Sequence, residues 1–200
     1  MKERFINLYQ NLITRPGADK LLAWLETTDF FEAPASTRFH LSRPGGLVEH
    51  SIHVYHRLHD LYVFERQNSE NFAFIEMTKD EEETIAICGL LHDLCKANFY
   101  GVEMRNRKNE QGQWERYPFY VVNDQLPYGH GEKSVYIISG FMKLSREEAM
   151  AIRWHMGFSD TDFKGGGYSV GNAFEKFPLA LLTHMADLQA TYLDEAEDDA

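Results

Sequence analysis

Apolar residues recur at helical spacing over most of the chain. Residues 3–13 and 18–28 read as short amphipathic helices separated by Arg15-Pro16-Gly17. The pattern then breaks between Phe30 and Gly46, where Pro34, Pro44 and the pair Gly45-Gly46 mark a loop. From Leu47 to about Arg66, Leu47, Val54, Leu58 and Leu61 fall on one helical face. Residues 78–95 give the clearest helix. Thr78 and Glu81 match a capping box, the acids Asp80 to Glu83 suit a positive helix N-terminus, and Ile85–Leu91 is apolar nearly all round. Such a helix is a buried one.

The stretch 99–129 changes period. Phe99 to Arg107 and Trp114 to Val122 are aromatic and β-branched, and Asn109-Glu110-Gln111-Gly112 between them reads as a hairpin turn. Helices resume at about 131–143 and 146–156, the second opened by a capping box of Ser145 and Glu148. Residues 157–177 form a Gly-rich loop, and Pro178 starts a last helix running to about Leu193. The pattern predicts an all-α fold, a helical bundle with an inserted β-hairpin at about 99–125. One domain spans 1–193 and an acidic disordered tail follows at 194–200.

Composition narrows the partners. Hydrophobic residues make up 44% and charged ones 26%, an ordinary globular balance, and the formal charge is −11. Non-specific affinity for nucleic acid comes from lysines and arginines that displace counterions, so this balance argues against long DNA or RNA. A small phosphorylated ligand on a metal needs no basic surface. Five acids crowd the last seven residues, which therefore read as solvated. Two cysteines, Cys88 and Cys95, indicate no disulfide framework and place the protein in the reducing cytoplasm. No signal-peptide pattern opens the sequence, and the run Ile85–Leu91 is too short to span a bilayer.

Nine histidines are present, and their placement is informative. Leu90-Leu91-His92-Asp93-Leu94-Cys95-Lys96 ends a buried helix with an adjacent histidine and aspartate, a costly burial without a partner. His50 sits in Gly45-Gly46-Leu47-Val48-Glu49-His50-Ser51, at the edge of an apolar face. His130 and His155 stand at the beginning and end of predicted helices, and Asp187 is an acid inside an otherwise apolar final helix.

The ordered series His…His-Asp…His…His…Asp, with these flanking motifs, resembles the binuclear form of the HD-domain superfamily over roughly residues 30–193. By motif it is most similar to the HD domains of bacterial 3′-to-5′ exoribonucleases; the Gly-Gly-Leu-Val-Glu-His element also occurs in plasmid relaxase-associated HD proteins. Those exoribonucleases add an OB-fold for RNA, for which this length leaves no room. The resemblance implies that His50, His92, Asp93 and Asp187 hold one metal, and that Asp93 bridges to a second completed by His130 and His155. Imidazole and carboxylate suit two divalent transition-metal ions, Mn, Fe, Ni, Co or Zn. It further implies a phosphohydrolase that cleaves a phosphate ester of a nucleotide or related small molecule through a metal-bridging hydroxide, with Asp93 and Lys96 catalytic.

Lys96, one turn beyond the His-Asp pair, is a candidate phosphate contact, against the alternative of a lysine favoured by the helix dipole. His40, Arg43, Lys133 and Arg153 complete the candidate substrate-binding set, though a single surface cation is more often simply solvated. His53, His56 and His59 read as solvated, His184 as a core histidine or a support for Asp187, and the cysteines as small packed hydrophobes. The hairpin aromatics are either core or a lid that stacks a base. Two other functions fit the same ligands: a mixed-valent di-iron oxygenase, as in myo-inositol oxygenase, and a non-catalytic binding or sensor module. Lys96 suits phosphate handling better than oxygen activation.

Overall fold

The computed structural model describes residues 1–69, 76–159 and 168–196. Its helices are α1 (Lys2–Leu12), α2 (Ala18–Leu25), α3 (Gly46–Ser69), α4 (Lys79–Leu91), α5 (His130–Ser139), α6 (Arg146–Arg153), α7 (Ser169–Lys176) and α8 (Pro178–Gln189). One hairpin, β1 (Tyr100–Lys108) and β2 (Trp114–Val122), interrupts them between α4 and α5. The protein is thus mainly helical with a small inserted sheet, as the periodicity predicts.

Helix α3 is central, with α4 on one side and α8 on another, while α6 joins α8 to α5. The apolar α4 segment is buried as its composition requires: Ile85, Ile87, Leu90 and Leu91 are fully enclosed, against Leu47, Ile52 and Leu58 of α3. Gly89 lets these helices meet closely, since a Cβ there would lie 2.5 Å from Tyr55 Cα. Both predicted capping boxes are formed, Thr78 with Glu81 and Ser145 with Glu148. Glu148 does more than cap. It receives both Arg15 amino groups at 2.8 Å and the Thr84 hydroxyl at 2.9 Å, tying the α1–α2 turn, α4 and α6 together.

The hairpin is antiparallel, in register from Tyr100 opposite Val122 to Lys108 opposite Trp114. Tyr100 anchors its root by donating to the Ala35 carbonyl at 3.1 Å. Farther out the sheet leaves the bundle, with Val102, Met104 and Trp114 exposed. The Arg105 guanidinium lies 3.7 Å from the Phe119 ring centre and that of Arg107 4.7 Å from Tyr117, cation–π pairs that occupy these faces within the hairpin itself.

Three segments depart from the sequence expectation. The helix predicted over 78–95 ends at Leu91, and a 3₁₀ turn, Leu94–Lys96, follows the His92-Asp93 corner. Part of the predicted Gly-rich loop is helix α7, because Val170 and Ala173 find apolar cover; 160–167 lies outside the described residues. Asp194 and Glu195 do not form a free tail. A π-helical turn, Ala190–Asp194, carries them back onto α3, where Asp194 pairs with Arg57 and Glu195 is buried. Composition signals solvation for this stretch, but partners distant in sequence override it. Residues 197–200 lie outside the described residues. Among the described residues no helix is long and apolar enough to cross a membrane.

Candidate metal centre

The corner after α4 sets the geometry. His92 caps the helix and Asp93 leaves it at φ −99°, so consecutive side chains point into the same interior space. His50 comes from the second turn of α3, His130 from the start of α5, His155 from just beyond α6 and Asp187 from the last turn of α8. Gly131 permits α5 to approach α6, since a Cβ there would lie 2.2 Å from the Arg153 carbonyl oxygen.

All six predicted ligands converge. Asp93 divides its two oxygens between two groups. Oδ2 faces His92 Nε2 at 3.5 Å and His50 Nε2 at 3.7 Å, while Oδ1 faces His130 Nε2 at 2.8 Å and His155 Nε2 at 3.5 Å. Asp187 Oδ1 lies 3.2 Å from His50 Nε2. His92, His155 and Asp187 form a third overlapping trio whose ligand atoms also lie within 4.8 Å of one another.

Contacts at the outer ring nitrogens orient the four rings. His92 Nδ1–H donates to the Gly89 carbonyl at 2.9 Å and His155 Nδ1–H to the Ile152 carbonyl at 2.7 Å. His130 Nδ1 pairs with Cys95 Sγ at 3.4 Å, and His50 Nδ1 with both Glu195 oxygens at 3.0 Å. With Nδ1 so engaged, every Nε2 points inward, where it either carries a proton or offers a lone pair to a cation. His50 and His92 Nε2 face each other at 3.3 Å, and those of His130 and His155 at 3.2 Å. Lone pairs and carboxylates at such separations repel unless cations or extra protons stand between them. The donor set therefore fits divalent metal ions, with imidazole nitrogen and carboxylate oxygen as ligands.

Charge shifts agree with that demand. Burial would raise the Asp93 carboxyl, but Lys96, His92 and hydrogen bonds from His130 and His155 hold it well below the carboxylate range. Asp187 is lowered for the same reason, with His50 as the chief opposing group. Burial would lower His50, but Asp187 and Glu195 outweigh it and raise the ring to about 10. His130 likewise rises to about 10 against burial, through Cys95 and Asp93. His92, whose burial prevails, falls to about 3.

A cavity of about 710 Å³ opens over Asp93 and Asp187, with His40, Lys96, His184 and Tyr192 in its wall. Lys96 Nζ is 2.6 Å from Asp93 Oδ2 and donates to the Ala35 carbonyl at 2.7 Å. His40 falls to about 4, burial being the main cause and the neighbouring His50 and Lys96 the next. Its Nε2 is, among the described residues, a buried side-chain atom with no hydrogen bond. The other substrate-binding candidates point elsewhere. Arg43 pairs with Glu49 at 2.5 Å, Arg153 with Glu132 at 2.5 Å, and Lys133 with Asp124 at 2.5 Å beneath the Phe99 ring. None of the three lines the cavity.

Several supporting residues escape the sequence reading. His53, expected to be solvated, donates from Nδ1 to Glu195 at 2.9 Å, whereas His56 is exposed as expected, accepting from Arg4 at 2.7 Å. His184 donates to the His155 carbonyl at 2.6 Å, so it steadies His155 and not Asp187. Cys95 is buried as expected, but its sulfur touches a histidine of the centre. One signal was available for Glu195: His50, His53 and Arg57 share a face of α3 at positions i, i+3 and i+7, a stripe that calls for an acidic partner.

No curated protein and no solved structure matches the chain. A family model described as the HD domain matches residues 47–198, which include all six converging side chains. The chain belongs to the HD-domain family.

Proposed function

We propose that this protein is a cytoplasmic, two-metal phosphohydrolase that cleaves a phosphate ester of a nucleotide or related small molecule. The carrying observation is the split carboxylate of Asp93, one oxygen toward His50 and His92 and the other toward His130 and His155. One ion would rest on His50, His92, Asp93 and Asp187, the other on Asp93, His130 and His155. When bound, such ions lower the pKa of water and neutralise charge on phosphate oxygens.

The protein's own groups do the rest. Lys96 holds a permanent positive charge beside Asp93 at the cavity wall, where a phosphate oxygen would sit. His40, neutral and with no hydrogen bond at Nε2 among the described residues, offers one to the same ligand. The apolar rim of Phe39, Leu188 and Tyr192 gives a base or sugar a surface to rest on. Both cysteines are free thiols, in keeping with a reducing compartment.

The test is hydrolysis of a panel of mono-, di- and cyclic nucleotides by protein loaded with Mn or another divalent ion. Release of phosphate or nucleoside should vanish in Asp93→Ala, and metal content should drop from two ions per chain. Unchanged turnover in that variant would refute the assignment. Oxygen uptake by iron-loaded protein would favour the di-iron oxygenase instead.

A further inference from the structure

We propose that Glu195 is a positioning residue of the metal centre, holding His50 for metal through Nδ1 and fastening the C-terminal turn to the site. The proposal rests on the metal reading of the centre but is independent of the reaction performed there.

Its side chain is completely buried, a costly place for a carboxylate without partners. Its hydrogen-bond partners are two histidines of one helix face, and His40 Nε2 stands 4.0 Å from Oε2. Both oxygens lie 3.0 Å from His50 Nδ1, and Oε1 lies 2.9 Å from His53 Nδ1. Hydrogen bonds from both rings favour its anionic form. His50 is thereby unlike its three counterparts, whose Nδ1 atoms meet two backbone carbonyls and a thiol. An anionic acceptor fixes the ring plane and makes the opposite nitrogen more basic, hence a stronger ligand.

Delivery of Glu195 depends on the wide turn after α8. Its backbone N–H donates to the Ala190 carbonyl at 3.0 Å, closing a π-helical ring where an α-helix would continue. Asp194 beside it is clamped by Arg57, a further turn along the α3 stripe. The acidic segment is thus anchored at two successive positions on the helix that supplies His50.

Cobalt binding to the full chain, followed by calorimetry and by the visible spectrum, tests this without any substrate. Glu195→Ala should weaken the His50-dependent cobalt site about 10- to 100-fold and alter its absorption bands. Glu195→Gln keeps an acceptor oxygen but no charge, and should recover part of the affinity. His50→Ala identifies which bands belong to this site, and circular dichroism verifies that each variant is folded. Wild-type affinity and spectrum in both Glu195 variants, with the His50→Ala site lost, would overturn the proposal and leave the metal reading standing. Failure of the wild type to bind any cobalt would overturn both. Should Glu195→Ala not fold, the Gln variant alone decides: an unshifted affinity and spectrum refutes the role.

Discussion

Lys96 Nζ lies 2.6 Å from Asp93 Oδ2, the oxygen that also faces His50 and His92. Burial would lower the ammonium pKa, but the Asp93 charge outweighs it and raises it, so the group is always cationic. Replacing it with methionine, of similar length, should leave the metal ligands in place and remove one fixed charge from the cavity. We expect kcat to fall about 10²- to 10³-fold with metal content retained. Steady-state hydrolysis and elemental analysis on one preparation check this; loss of metal in parallel would make Lys96 structural.

Metal affinity should climb with pH. In the metal-free protein His50 and His130 are raised to about 10, so at neutral pH each ring is doubly protonated and holds a proton where a cation would bind. Binding must expel those protons, and each one displaced steepens the dependence by about tenfold per pH unit below the raised value. Titration calorimetry in buffers of different ionisation heat, between about pH 6 and pH 9, would count the protons released. Affinity that is flat across this range contradicts the arrangement.

Arg15→Ala should destabilise the fold by about 2–3 kcal/mol, because it strands the buried Glu148 carboxylate. The figure sits at the low end for such pairs since the Arg15 side chain is 19% exposed. Burial would raise Glu148 and Glu83, yet hydrogen bonds from Arg15 and the backbone hold both below the ordinary carboxylate value. The folded form therefore binds fewer protons than the unfolded one as acid is added. Its stabilisation is complete above the unfolded value near 4.5 and is lost as pH falls through the lower folded values. Urea titrations of both proteins at about pH 7 and pH 3 should show the gap narrowing in acid.

Gly89→Ala tests the close approach of α3 and α4. The added methyl would meet the Tyr55 backbone, which cannot swing aside, and the helices must separate. A cost of about 1–3 kcal/mol is expected, exceeding the modest gain in helix propensity. Because His92 donates to the Gly89 carbonyl, metal affinity should weaken as well. Thermal unfolding and cobalt titration would measure the two effects.

The helices, both capping boxes and the hairpin are legible in the sequence because they depend on local spacing. The six converging ligands are legible for another reason: a fixed order of residue types with Gly-Gly-Leu-Val-Glu-His and Leu-Leu-His-Asp as context. What escapes is decided by contacts distant in the chain. Glu195 sits in an acid-rich stretch whose composition says water, and only the fold brings the α3 stripe to it. The Cys95 sulfur meets His130 because the helix gives way to a 3₁₀ turn after Asp93, which helical periodicity could not foresee. Helix α7 hides within a glycine-rich run because the burial of Val170 and Ala173 is supplied by neighbours.

His50 and Glu195 stand 145 positions apart, yet their contact completes the outer side of the centre. Helix α8 already packs along α3, so its docking closes most of that loop and the turn Ala190–Asp194 adds only a short closure of its own. Assembly should accordingly be hierarchical: the α3–α4 pair forms first, and the C-terminal turn locks on afterwards. Slow loosening of that final turn, long before the core opens, would then set how tightly the protein retains its ions.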